Sequence, residues 1–251
     1  MRREALLREL GLGPVWRLRQ PAAEATVPPV PERSTDAGVS PPLTFDQPAP
    51  TDDGDDRAAA IARMGWDELK TAVADCRACG LCQARQQAVL GVGDIEADWL
   101  FVGEGPGAEE DERGEPFVGQ AGKLLDAMLA AIDLQRGRKV YIGNVVKCRP
   151  PGNRTPEPEE TAACFPYLQR QIELIRPKLI VALGKPAAET LLNAEVKVGA
   201  ARGRLFDYRG IPLIVTYHPA YLLRNLPDKA KAWEDLCFAR RTLQGLNDVG
   251  G

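Results

Sequence analysis

Apolar residues along this chain fall into two kinds of run. Four short runs are apolar at nearly every position: Trp99-Leu100-Phe101-Val102, Val140-Tyr141-Ile142, Leu179-Ile180-Val181-Ala182 and Leu213-Ile214-Val215-Thr216. Their length and their β-branched and aromatic content predict strands buried on both faces. Between them lie longer segments with apolar residues three and four apart. Lys123–Leu134 sets Leu124, Leu125, Met128, Leu129 and Ile132 on one helical face. Pro158–Ile175, Ala187–Leu192 and Lys229–Leu246 also read as helices, with Pro158 acceptable in a first turn. A further helix over about Ala58–Asp75 leads into Cys76. Strand and helix patterns that alternate in this way predict an α/β fold: a three-layer α/β/α sandwich around a central four-stranded, mostly parallel sheet.

The pattern fails before residue 58. From Pro21 to Asp56 there are eight prolines, almost no aromatic residues, and a closing Asp52-Asp53-Gly54-Asp55-Asp56 run. Such a stretch cannot bury enough apolar surface to offset its ordering entropy, so residues 21–57 are expected to form a disordered linker in an N-terminal extension. Residues 1–20 hold a short amphipathic segment, with Leu6 and Leu10 four apart and Trp16 between charges. That suits a docking peptide for a protein partner over residues 1–19. The folded domain is expected over 58–246, with 247–251 as a tail. The net charge of -3 lies entirely in residues 1–57, which hold ten acidic residues and seven arginines. Any basic face of the domain is therefore local. No apolar run is long enough to span a bilayer and no signal-peptide pattern is present, so a cytoplasmic, membrane-free monomer is expected.

The chemistry gathers where the strands end. The first run gives way to Gly103-Glu104-Gly105-Pro106-Gly107, the second to Gly143-Asn144, the third to Gly184-Lys185 and the fourth to Tyr217-His218, the one histidine of the chain. Open parallel sheets keep their sites outside the carboxyl ends of their strands. A carboxylate, an amide, an ammonium and an imidazole would thus share one rim. The glycine spacing is neither a dinucleotide nor a P-loop signature, and suits close approach of a substrate to backbone N–H groups. Phe117, in a loop bounded by Pro116 and Gly119, is either core or a stacking platform for a base. Lys147–Pro156 is a rigid loop with three cations, Lys147, Arg149 and Arg154, suited to a phosphate backbone. Six cysteines occur. Cys76 and Cys79 are spaced to chelate from one turn, and Cys148 and Cys164 can be brought to them by a loop and a helix start. Four thiolates suit zinc or an iron–sulfur cluster, and spacing does not choose between them. Cys82 continues the rhythm as a competing ligand, while Cys237 sits in a helical apolar face.

Together, Gly103–Gly107, Pro116–Gly119, Asn144–Arg154 and His218–Arg224 resemble the motifs of the family 4 uracil-DNA glycosylases, the iron–sulfur branch of their superfamily. The resemblance covers roughly Ala58 to Leu246. It implies the α/β/α sandwich, a [4Fe–4S] cluster on Cys76, Cys79, Cys148 and Cys164, and removal of uracil from single- or double-stranded DNA to leave an abasic site. Cys82 stands where the family usually has a non-ligating residue. Gly105, beside the base, stands where the family 1 motif has its water-activating aspartate. On this reading Asn144 reads the uracil N3–H and O4, Phe117 stacks on the flipped ring, and His218 donates to O2 as charge collects there. Glu104 or Glu110 orients water or stabilises the sugar cation, and Glu110 also crowds a thymine methyl. Leu222 wedges into the vacated stack, with Arg224, Arg149, Arg154 and Lys185 along the DNA. No Schiff-base lysine is needed, so no strand cleavage is expected. Two other readings are a relative that traps uracil-DNA covalently, which needs an extra histidine, and a non-catalytic cluster-bearing DNA-binding module.

Overall fold

The predicted strands form and pair in parallel, with the first lying between the second and the third. A computed structural model describes residues 52–249; the N-terminal docking segment, the linker as far as Thr51 and the last two residues lie outside the described residues. The sheet order is β1-β3-β2-β4-β6-β5. Its centre comprises β2 (Trp99–Gly103), β3 (Val140–Asn144), β4 (Leu179–Leu183) and β6 (Ile211–Thr216), all mutually parallel. These are the four expected strands. Two short antiparallel strands were not expected: β1 (Val92–Gly93) on β3, and β5 (Leu205–Tyr208) on β6. A two-residue strand is too short to show a period. The β5–β6 hairpin turns at Arg209 and Gly210, both at positive φ (51° and 85°), the geometry of a type I′ turn.

The sheet is covered on both faces, and the strand residues alternate between the two cores. Leu100, Val102, Ile180, Ala182, Leu213 and Val215 pack on one side with α1 (Asp52–Ile61), α2 (Trp66–Ala74), α5 (Pro158–Ile175) and α6 (Lys185–Leu192). Trp99, Phe101, Ile142, Val181 and Ile214 pack on the other with α4 (Gln120–Ala130), α8 (Pro219–Arg224) and α9 (Asp228–Val249). The remaining helices, α3 (Ala108–Arg113) and α7 (Val198–Ala201), are short. The three layers agree with expectation. The helix expected over Ala58–Asp75 is instead two. The first runs from Asp52 to Ile61; the second begins at Trp66 after Gly65, whose N–H donates to Glu68 Oε2 at 2.9 Å. Residues 52–57, expected in the linker, are therefore helical.

Register fixes the site. Gly103 pairs with Asn144, and Leu183 with Thr216, so the four loops leave one edge of the sheet together. Pairing continues past the strands: Val145 N–H donates to Gly103 O at 2.9 Å and Val146 N–H to Glu104 O at 3.1 Å.

Candidate active site

Those loops enclose a cavity of about 450 Å³. Glu104, Gly105, Glu110, Phe117, Asn144, Arg154, His218 and Arg224 all line it, so eight of the eleven expected pocket and DNA-facing residues meet in one place. Asn144 is 2% exposed, and its Oδ1 is buried with no hydrogen-bond partner. An orphaned buried acceptor costs about 1–3 kcal/mol, a cost that a ligand N–H would relieve. Gly103 makes this possible: a Cβ there would lie 2.5 Å from Asn144 Oδ1 and 2.6 Å from the Phe117 ring.

His218 is the N-cap of α8. Its Nδ1 accepts the N–H of Ala220 at 3.1 Å, so Nε2 carries the proton. Burial, assisted by the nearby Arg224 charge and opposed by Glu110, pushes its pKa down to about 4. The residue as a whole stays partly exposed beside the open pocket. The imidazole is thus neutral at physiological pH and offers one N–H donor. Its ring faces Phe117, with centroids 5.5 Å apart and planes 30° apart.

Phe117 adopts a positive φ of 56°, unusual for a bulky residue and a recurrent mark of functional sites. Two residues not foreseen from sequence hold it. Arg136 donates to the carbonyls of Pro116 at 2.8 Å and Phe117 at 2.9 Å, and its Nε to Asp126 at 3.0 Å. Gly122 lets α4 pack directly on the Phe117 carbonyl, which a Cβ would overlap.

The two carboxylates differ. Glu110 Oε2 accepts the N–H of Gly107 at 3.1 Å, and Oε1 accepts those of Val118 at 2.9 Å and Gly119 at 3.1 Å. It therefore ties the glycine loop to the Phe117 loop. Glu104 has a side-chain bond to Thr155, but burial outweighs it and holds the carboxyl above the usual glutamate range.

Three expected residues lie outside the pocket lining. Leu222 is 1% exposed and belongs to the core, because helical spacing in α8 turns it inward. It cannot act as the wedge. Leu223 and Leu226 are the exposed apolar residues there, at 41% and 61%. Lys185 is exposed at the start of α6 and pairs with Glu189 at 3.5 Å. Arg149 bonds Asn153 Oδ1 at 2.7 Å. Arg154 does line the pocket, yet its guanidinium forms a bidentate pair with Glu160 at 2.7 and 2.8 Å. That fork braces the loop rather than standing free for phosphate. Arg224 is exposed and makes no ion pair among the described residues.

Cys76, Cys79, Cys82, Cys148 and Cys164 line a second, smaller cavity on the other face of the sheet. Donors point at the sulfurs: Arg85 to Cys148 at 2.9 Å, Arg57 to Cys76 at 3.8 Å and the N–H of Lys147 to Cys164 at 3.2 Å. Burial pushes the Cys164 thiol up to about 12 and raises those of Cys148 and Cys79. Burial also acts on Cys76, but the Ala78 N–H, Tyr167 and Arg57 outweigh it and lower that thiol. Neither arginine was singled out from sequence, and Arg57 fell in the expected linker. Among the described residues no three His, Cys, Asp or Glu side chains converge as around one metal ion.

Comparison with known proteins bears on both cavities. The model of the uracil DNA glycosylase superfamily matches residues 90–237. A type-4 uracil-DNA glycosylase of Thermotoga maritima is 49% identical over 155 residues, 61% of this chain and 80% of that protein. One from Pyrobaculum aerophilum is 42% identical over 184 residues, 70% of this chain and 93% of its own length. A type-5 uracil-DNA glycosylase of the same organism is 33% identical over 149 residues, 53% of this chain and 66% of its length. The match spans every strand of the sheet and every loop of the pocket, and the chain belongs to the uracil DNA glycosylase superfamily, in its type-4 branch.

Proposed function

We infer that this chain excises uracil from DNA by hydrolysing its N-glycosidic bond, leaving an abasic site for base excision repair. The observation that carries the reading is the orphaned Asn144 Oδ1 in a cavity that also holds a neutral imidazole donor. Uracil offers an N–H at N3 and carbonyls at O2 and O4. Asn144 accepts the first and its amide donates to O4; cytosine presents the opposite pattern at both atoms and would leave buried groups unpaired. The target base must leave the stack to reach this pocket. Phe117 then forms a platform for it, and the exposed Leu223 and Leu226 are the apolar groups available to fill the gap.

As the C–N bond breaks, negative charge grows on O2 and N1 and positive charge on the sugar. The His218 Nε2–H meets the first. Glu104 is the carboxylate available for the second, or for orienting water, since Glu110 is engaged by three N–H groups. Glu110 acts by shaping the loop that borders the base. Arg224 lies at the pocket mouth, makes no ion pair among the described residues and suits a flanking phosphate.

The thiol cavity suits a [4Fe–4S] cluster on Cys76, Cys79, Cys148 and Cys164. The four thiols share one cavity and N–H donors surround them, which suits a thiolate-held group; the resemblance to the type-4 relatives favours the cluster over zinc. Such a group, held by these four cysteines, would cross-link the segment after α2, the turn after β3 and α5, and could carry an electron. Cys82 lines the same cavity and is the fifth thiol.

The direct test is release of labelled uracil from an oligonucleotide. Release that leaves an intact abasic strand is expected. A stable protein–DNA adduct would favour the covalent-trapping alternative, and binding without release the non-catalytic module.

A further inference from the structure

One buried cation lies between the two cavities. Lys147 is 1% exposed and meets no carboxylate among the described residues. Its Nζ donates to the backbone carbonyl of Asn144 at 2.8 Å and to Gln171 Oε1. Gln171 is itself fixed, donating to Leu90 O at 2.9 Å and to Tyr141 Oη at 3.0 Å. The Lys147 backbone is equally committed: its N–H donates to Cys164 Sγ at 3.2 Å and its carbonyl accepts from Val89 at 2.7 Å. Burying an ammonium without an anionic partner is expensive. The position calls for a donor at one point, the Asn144 carbonyl at the end of β3. The bond from residue 147 back to residue 144 closes the turn much as a backbone bond would. It fixes the main chain from which the Asn144 carboxamide projects.

We propose that Lys147 is a positioning residue for base recognition: its side chain closes the Asn144–Cys148 turn and holds the Asn144 carboxamide aimed into the base pocket, while the turn's far end is anchored at the thiol cavity. The proposal rests on the glycosylase reading and deepens it. The base-reading group is thereby set from the opposite face of the sheet. Lys147 itself is sealed from the pocket and takes no part in bond cleavage.

The test is a double-mutant cycle on free-uracil affinity, read as inhibition of uracil release and by calorimetry on iron-loaded protein. Lys147→Met keeps the length and removes the donor. It is expected to weaken free uracil by about 10-fold, a typical loss for one hydrogen bond to a charged group, at wild-type helix content. Adding it to Asn144→Ala is expected to change affinity less than about two-fold, because the reader it positions is already gone. Wild-type affinity in Lys147→Met, or losses that multiply in the double variant, would overturn the proposal, since a merely structural lysine would not depend on Asn144. If Lys147→Met does not fold or load iron, Gln171→Leu takes its place in the same cycle, with a smaller loss and the same dependence on Asn144. A wild-type protein that neither releases nor binds uracil would refute the glycosylase reading. An active wild type with an unaffected Lys147→Met would refute the positioning role alone.

Discussion

In the base pocket one buried acceptor, Asn144 Oδ1, waits without a partner; at the thiol cavity, donors from Arg57, Arg85 and the Lys147 backbone point inward at the sulfurs. Asn144 Oδ1 is unpaired and Glu104 is held above its usual range by burial. The orphaned acceptor destabilises the empty protein and is relieved by a ligand N–H. The thiols instead receive Arg57, Arg85 and the Lys147 N–H, and they bring the segment after α2, α5 and the turn after β3 around one point. The difference separates a site poised for a transient occupant from one suited to the cluster proposed above. Perturbing the first should change turnover and leave stability; perturbing the second should do the reverse.

The largest expected effect is at the thiol cavity. Cys148→Ala or Cys164→Ala should drop iron well below about four per chain and destabilise the fold. Cys237→Ala and Cys82→Ala should retain iron; elemental analysis and visible absorption read this. Iron lost on Cys82→Ala would change the ligand set. Next is Gly122→Ala, whose methyl meets the Phe117 carbonyl. It should slow uracil release by roughly 10²-fold, as about 1 Å of misplacement does, with normal iron absorption. Joint loss of iron and turnover would erase the contrast between the sites.

The pH profile sharpens the carboxylate assignment. Glu104 is needed ionised and its pKa is raised, so activity should fall on acidification above the usual glutamate range. Glu104→Gln should be slower and flat across that limb; a persisting limb would shift the role elsewhere. His218 contributes separately. Its folded pKa of about 4 lies below the unfolded value of roughly 6.5, so its neutral form favours folding. That stability is complete above about pH 6.5 and is lost as pH falls toward 4. Wild type should lose thermal stability relative to His218→Ala as pH falls from about 6.5 toward 4.

The smallest effect distinguishes two adjacent leucines. Leu222→Ala should cost ~2–5 kcal/mol of stability as a core truncation. Leu223→Ala should leave stability within about 0.5 kcal/mol and slow release from duplex more than from single-stranded DNA.

The sequence made the four central strands, the rim and the cysteine group legible because each depends on local period or on residue type. The direction of Leu222 was not legible: the motif ends in two leucines, and only the helical phase of α8 says which faces the core. The bracing role of Glu110 was hidden for a related reason, since a carboxylate reads as free until its three N–H donors are seen. Arg136 and Arg57 act over 19 and 106 residues of separation, through contacts with backbone carbonyls that no motif records. Gly65, the N-cap of α2, was the one such feature open to sequence reading.

The central claim is that one pocket both reads uracil and stabilises its departure. Single-turnover release and DNA binding by His218→Ala test it together. A donor that acts on O2 only as charge develops should lower the rate by ~10²–10³ while uracil-containing DNA binds within several-fold of wild type. A variant that loses stability and DNA binding, yet turns over at a near-normal rate in its folded fraction, would make His218 a mere cap for α8 and contradict the account.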